Sequence, residues 1–313
     1  MDLEKTGQKR PSAGTWVSAF RLRTLPLSLS CIGMGGFLAA ADHLSRWPVL
    51  LLCVLTTLFL QILSNLANDY GDTRHGADSQ HREGPKRAVQ AGQITPGQMK
   101  AAIIVFSLLS LVSGVVLLWV ALGTSGLYLF LFFLLLGIGA IWAAIGYTNG
   151  GKPYGYAGLG DISVFFFFGW VGVLGTYFLQ TERIFSELLL PASSLGFFSA
   201  AVLNVNNIRD IKSDELAGKR SVPVRLGALR ARNYHWLLLL GGIVCAAVFV
   251  LVRENHTLWP WLFLGSLPML LYNGREVKRR QTPAELDPLL KQMAMSTLLF
   301  VVLLGIGLLL DRA

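Results

Sequence analysis

The sequence predicts an all-α polytopic membrane protein of nine transmembrane helices with a cytoplasmic N-terminus. Three observations carry that expectation. Only 14% of the 313 residues are charged and 53% are hydrophobic, whereas a soluble domain carries about 25% charge. The runs 101–122 and 127–148 are each 22 residues without a charge, and a bilayer crossing needs about 20 mostly apolar residues. The third observation is the distribution of Lys and Arg around those runs.

The spans can be justified in order. The first, 25–41, follows a basic segment ending in Arg21 and Arg23, and the second, 47–66, runs directly into a polar stretch at Asn68. Spans 101–122 and 127–148 are joined by Gly-Thr-Ser-Gly, and span 162–179 opens beside Asp161 and contains the run Phe165–Phe168. Span 188–205 runs into a second polar stretch, and 235–252, 258–272 and 293–310 complete the set. Threading nine spans from an inside N-terminus places all 27 Lys and Arg on one side except Arg46, Arg183, Arg253 and Arg312. That split obeys the positive-inside rule. The net charge of +9 is thus an orientation signal and requires no nucleic-acid partner. Cys31, Cys53 and Cys245 fall inside apolar runs without ligand spacing, so no disulfide framework is expected. The chain reads as a single integral-membrane domain over 1–313, with 1–15 a flexible cytoplasmic extension.

The scarce acids concentrate at the basic side. One polar stretch reads Asn68-Asp69-Tyr70-Gly71-Asp72 and continues to Asp78; the other reads Asn206-Asn207-Ile208-Arg209-Asp210 and continues to Asp214. Both contain Asn-x-x-x-Asp, and both follow an apolar run. A spacing of four puts the side chains on one face of a helix prolonging the span. Carboxylates gathered without a cation repel one another. Hard oxygen ligands suit Mg²⁺, which is held by a few carboxylates together with substrate phosphates. Basic residues follow each motif, Lys86-Arg87 and Lys219-Arg220, and Arg74 and Arg209 are interleaved with them. Arg and Lys are the usual partners of a diphosphate. Arg21, Arg230, Arg232 and the cluster at 275–280 read instead as orienting charges. A third inside loop, 147–161, is rich in Gly and Tyr and contains Lys152, Tyr154 and Asp161. A carboxylate at a membrane boundary is costly unless paired or solvated, which singles out Asp161. A transporter or divalent-ion channel is disfavoured, because no acid lies mid-span, where transporter sites sit.

These residues carry a resemblance. The chain resembles the UbiA superfamily of intramembrane aromatic prenyltransferases over roughly 15–310, and within it the branch that acts on 1,4-dihydroxy-2-naphthoate. The likeness rests on Arg21-Leu22-Arg23-Thr24-Leu25-Pro26, on Asn68 to Asp78, on Tyr147 to Asp161, and on Asn204 to Asp214 with Gly218-Lys219 and Val224 to Gly227. One departure is that Gly76 stands where the wider superfamily often has a third acid, with Asp78 two residues later. The resemblance implies a helical bundle with a central cavity open sideways to lipid. It implies Mg²⁺ held by Asn68, Asp69, Asp72, Asp78, Asn206, Asp210 and Asp214. It implies a polyprenyl diphosphate gripped by Arg23, Arg74, Lys86, Arg87, Arg209 and Lys219. Asp161, Lys152 and Tyr154 would lie near the aromatic acceptor, 1,4-dihydroxy-2-naphthoate, which is prenylated with loss of CO₂ to give demethylmenaquinone. The expected location is a bacterial inner membrane with the site toward the cytoplasm. A sibling acting on 4-hydroxybenzoate, in ubiquinone synthesis, shares the chemistry and remains open.

Overall fold

The computed structural model describes residues 11–78, 86–123, 126–254 and 257–312, and every regular element among them is helical. Residues 1–10 of the expected N-terminal extension lie outside the described residues, as do the basic residues Lys5, Lys9, Arg10 and Arg82.

A short helix, α1 (Ala13–Phe20), begins at Ser12, whose side chain accepts from the Thr15 N–H at 3.2 Å. It stops at Arg21, a non-glycine residue in the left-handed region (φ 51°). One 3₁₀ turn, Leu22–Thr24, redirects the chain into α2 (Leu25–Ala41), which carries Pro26 in its first turn, where a missing N–H costs nothing. Next come α3 (Trp47–Arg74), α4 (Pro96–Leu122) and α5 (Leu127–Gly146). A reciprocal capping box starts α4: Thr95 Oγ1 accepts from the Gln98 N–H and Gln98 Oε1 accepts from the Thr95 N–H.

The following span is one rod in three parts: α6 (Gly160–Val164), a π-helical stretch Phe165–Leu174, and α7 (Gly175–Thr181). Then come α8 (Leu189–Arg209), the short α9 (Ile211–Leu216) and α10 (Val222–Leu226), α11 (Ala228–Val252), α12 (Leu267–Arg279) and α13 (Pro283–Arg312). Eight helical spans among the described residues are long and apolar enough to cross a membrane. Burial separates their roles. Two-thirds (67%) of the apolar window of α8 is buried against 6% for α5, so α8 is the axial helix and α5 a lipid-facing wall. The π stretch approaches α8 closely because a Cβ at Gly169 would sit 2.7 Å from the Ala192 carbonyl oxygen; small residues at such seams let membrane helices touch backbone to backbone.

The expected span at 258–272 is built differently. Trp259–Ser266 is a 3₁₀ helix and α12 follows it. Pro260 and Pro268 each lack the N–H that a continuous α-helix needs. The tighter 3₁₀ winding has the greater rise and lengthens the segment: rises of about 2.0 and 1.5 Å per residue give it roughly 35 Å. Its ends lie beside opposite ends of α13. The Thr257 N–H donates to Asp311 Oδ1 at 2.7 Å, and Arg280 Nη1 donates to the Glu285 carbonyl at 2.8 Å.

The helices leave two chemically different ends. The motif end gathers the last turns of α3 and α8 with the segments 86–94, 147–159 and 217–221. The far end is tied by Asp42, which accepts from Tyr177 Oη at 2.6 Å and from Arg253 Nη2 at 2.7 Å. There Arg46 also donates to the carbonyls of Val120 and Ala121. An apolar cluster of Ile32, Val49, Cys53, Leu117, Leu118 and Leu179 lies just inside that end. Cys31, Cys53 and Cys245 are free.

Candidate functional site

The first acidic motif lies on the last turns of α3, as its spacing predicts. Asp72 Oδ2 is 2.6 Å from Arg87 Nη1, and Asp72 Oδ1 accepts from the Tyr156 hydroxyl at 3.0 Å. Arg87 Nη1 also donates to the Asn68 carbonyl at 2.8 Å and lies 3.0 Å from Asp78 Oδ2. Burial works against the Arg87 guanidinium, but Asp72, Asp78 and Asp69 outweigh it and hold the charge more firmly than in water. Gly71 is required here: a Cβ would stand 2.5 Å from the Thr148 carbonyl oxygen. That close approach lets Thr148 Oγ1 donate to the Ala67 carbonyl at 3.0 Å and to Asn68 Oδ1 at 3.3 Å, which orients Asn68.

Asp69 is turned the other way. Its two oxygens accept the N–H groups of Ala88 and Val89 at 3.1 and 3.3 Å. It anchors the segment that delivers Arg87. Asp78 backs Arg87 from outside the cavity described below. Neither acid lines that cavity.

The second motif is kinked rather than straight. Asn206 lies on the last turn of α8, Asp210 stands at the break, and Asp214 is on α9. The break is held by side chains: Ser213 Oγ donates to the Asp210 carbonyl, and Arg209 forks onto both carboxylate oxygens of Asp210 at 2.8 and 2.7 Å. Arg209 Nη2 also donates to Asn206 Oδ1 at 2.8 Å. Asp214 lies 3.3 Å from Lys219 Nζ and accepts from Ser221 Oγ at 3.4 Å. Burial pushes the Asp214 carboxyl up to about 6; Lys219 opposes this, while Asp210 and Asp72 add repulsion. Burial works against the Lys219 ammonium, but Asp214 and Asp72 outweigh it and hold it well above its ordinary range. Lys219 therefore answers to one acid from each motif. Its ammonium also lies 5.8 Å from the centre of the Tyr156 ring.

Tyr156 joins the two halves. Its hydroxyl reaches Asp72, its ring faces Lys219, and its carbonyl accepts from the Arg220 N–H at 2.9 Å. The sequence marks the loop as Gly- and Tyr-rich but does not indicate which Tyr faces an acid. Tyr156→Phe removes one of the donors holding Asp72. It is expected to lower kcat/KM for the reaction at this site about 10-fold with little change in thermal stability, because outer-shell partners of metal-binding groups are worth about 10–100-fold. Steady-state kinetics on the purified variant is the check, and unchanged kinetics would refute the role.

The remaining expected residues divide. Arg23 lines the cavity and pairs with Asp287 at 3.2 Å. Arg74 instead lines a separate hollow with His75 and Lys100. Lys86 and Lys152 are exposed and line neither space. Tyr154 lines the cavity, with its hydroxyl donating to the Ala143 carbonyl at 2.8 Å and lying 3.1 Å from Ser163 Oγ. Asp161 is buried outside the cavity, with the Tyr234 phenol as its hydrogen-bond partner and Oδ2 unpartnered. Asp287, on the first turns of α13, carries no sequence signal and yet touches both Arg23 and Arg209.

The cavity has a volume of about 420 Å³. Its polar mouth is made by Arg23, Asn68, Asp72, Arg87, Asn206 and Lys219, and its deep walls by residues such as Leu60, Phe133, Phe167 and Leu179. It reaches Cys53 on the same helix as Asp72, which at 1.5 Å per residue is about 28 Å of depth. The shape suits an amphiphile with an anionic head and a long apolar tail. Asn68, Asp72 and Asn206 line the cavity and offer the hard oxygens that Mg²⁺ prefers, while Asp210 and Asp214 stand behind its wall and do not line it. Among the described residues no three acidic, His or Cys groups converge on one point. That spacing fits a metal that completes its shell with phosphate oxygens and water; burial first, and then repulsion from Asp210 and Asp72, raises Asp214, and a cation would offset both.

The family model described as the UbiA prenyltransferase family matches residues 28–304. The chain belongs to that family. It is 44% identical over 307 residues to 1,4-dihydroxy-2-naphthoate octaprenyltransferase of Escherichia coli, covering 98% of this chain and 99% of the relative. It is 45% identical over 298 residues to the enzyme of the same name from Haemophilus influenzae, covering 94% and 95%. Among solved structures, a UbiA homologue from Archaeoglobus fulgidus bound to DMAPP and Mg²⁺ superposes with a TM-score of 0.67 at 16% identity, covering 94% of this chain and 99% of the other. At that identity the likeness establishes the fold: an all-helical membrane bundle of the UbiA type.

Proposed function

We propose that this prenyltransferase moves a polyprenyl group from polyprenyl diphosphate to 1,4-dihydroxy-2-naphthoate, with loss of CO₂ and diphosphate. The product is the quinol of demethylmenaquinone, so the chain serves menaquinone synthesis. The observation that supports this most directly is the placement of Asn68, Asp72 and Asn206 with Arg23, Arg87 and Lys219 at the mouth of an apolar cavity about 28 Å deep. The names of the bacterial relatives supply the acceptor.

In this reading Arg23 and Lys219 at the mouth receive the diphosphate, and Asn68, Asp72, Asn206, Asp210 and Asp214 hold Mg²⁺. Bound Mg²⁺ neutralises charge on the departing diphosphate. Fixed donors aimed at developing charge lower the barrier without reorganising. The allylic C–O bond breaks, and diphosphate leaves with the electron pair. The apolar walls keep water from the allylic cation. The electron-rich ring forms the new C–C bond, and CO₂ departs leaving its bonding pair to the ring. Of the three residues expected near the acceptor, Tyr154 alone faces the cavity, and we assign it that position.

We also propose that the chain passes the membrane nine times, counting the Trp259–Arg279 segment. In this reading the motif end faces the cytoplasm of a bacterial inner membrane; the Lys and Arg distribution supports that orientation. The deciding experiment offers the purified protein, with Mg²⁺ and a polyprenyl diphosphate, both aromatic acids. Turnover of the naphthoate is expected; preference for 4-hydroxybenzoate would overturn the assignment.

A further inference from the structure

We propose that Asp287 is a positioning residue for the second acidic motif, acting through Arg209. The inference rests on the metal-binding reading above. Three layers stand behind the cavity wall. Asn206 faces the cavity. Behind it lies Arg209, its side chain only 1% exposed, and behind that Asp287 on α13. Arg209 has five N–H donors, and four hydrogen bonds engage them: Nε to Asp210 Oδ1, Nη2 to Asp210 Oδ2, Nη2 to Asn206 Oδ1, and Nη1 to Asp287 Oδ1 at 2.5 Å. A guanidinium so fully used is a bracket for its neighbours, not a free clamp for diphosphate. This changes the role that the sequence suggests for Arg209.

Asp287 does two things in this arrangement. Its Oδ1 draws part of the Arg209 charge away from Asp210, and its Oδ2 tethers Arg23 at 3.2 Å. Without Asp287, Arg209 would have Asp210 as its sole carboxylate among these contacts. The guanidinium would then compete with a metal for that carboxylate. Charge-assisted bonds of this kind are about twice as strong as neutral ones, so the competition is substantial. Asp287 thus weakens the grip of Arg209 on the two Asp210 oxygens and keeps Asn206 aimed.

The test uses the full chain in detergent and reads metal binding directly. Mn²⁺ is titrated by electron paramagnetic resonance in the presence of inorganic diphosphate, and the Mg²⁺ dependence of turnover is measured in parallel. Asp287→Ala is expected to raise the Mn²⁺ Kd and the half-saturating Mg²⁺ together by about 10-fold. Asp287→Asn keeps an acceptor but loses the charge, and is expected to fall between Asp287→Ala and wild type. Asp287→Glu is expected to recover most of the affinity. An unchanged Mn²⁺ Kd in folded Asp287→Ala, or in Asp287→Asn should the alanine variant not fold, would overturn the proposal. Wild-type protein that binds no Mn²⁺ while transferring prenyl groups normally would instead overturn the metal reading beneath it.

Discussion

Asp72→Asn is expected to lower kcat/KM for prenyl transfer by about 10²-fold or more, the scale seen when one preorganised charge-stabilising group is lost. The residue is placed to matter three times. It faces the cavity mouth, pairs with Arg87 at 2.6 Å and answers Lys219 across the two motifs. The amide cannot carry the negative charge that a divalent ion and two buried cations require. The fold should survive the change. Losing one partner of a buried ion pair costs about 3–5 kcal/mol when the other charge is left alone, but Arg87 retains Asp78 at 3.0 Å. The Tyr156 hydroxyl can still donate to the amide oxygen. Activity and thermal unfolding in detergent, measured on the same preparation, separate the two effects. A variant within about twofold of wild-type activity would contradict the placement of Asp72 at the reacting end.

Chelation is expected to have the largest effect of all. With EDTA in excess, turnover should stop, and Mg²⁺ should restore it. The reason lies in charge. Arg87, Lys219 and Arg209 each pair with an acid of the cluster. Those cations keep the fold intact without metal, so EDTA should abolish catalysis while leaving thermal unfolding nearly unchanged. An enzyme that turns over at full rate after exhaustive chelation would exclude the role given to the two motifs.

Much of this site is legible in the amino-acid sequence, and the limits have physical reasons. Asn68 and Asp72 are legible because a spacing of four on a regular helix fixes their common face, and α3 continues through both. Asp69 is adjacent in sequence, but one residue along a helix turns the side chain by about 100°, toward the N–H groups of Ala88 and Val89. Asp214 is harder to place, because the break at Asp210 cannot be read from spacing. Lys219 is legible as a cation after the motif. Its position between Asp72 and Asp214 depends on tertiary packing. Tyr156 and Asp287 show the same limit more sharply, since each acts across more than 75 residues of chain. The bundle itself follows from hydropathy. The segment at 258–272 shows where hydropathy stops: an apolar run fixes what a segment is made of, and two prolines decide how it is wound.

The tied far end has a kinetic consequence. Asp42, Tyr177 and Arg253 tie that end, Arg46 clasps the last carbonyls of α4, and the apolar residues around Cys53 line the deep end of the cavity just inside. Among the described residues the charged mouth is the polar way into the cavity, and the bilayer serves the oily substrate and product. Diphosphate must leave through the passage by which the aromatic acid arrives. Outgoing and incoming anions then queue for the same cations, and accumulated diphosphate should act as a brake on the enzyme that made it.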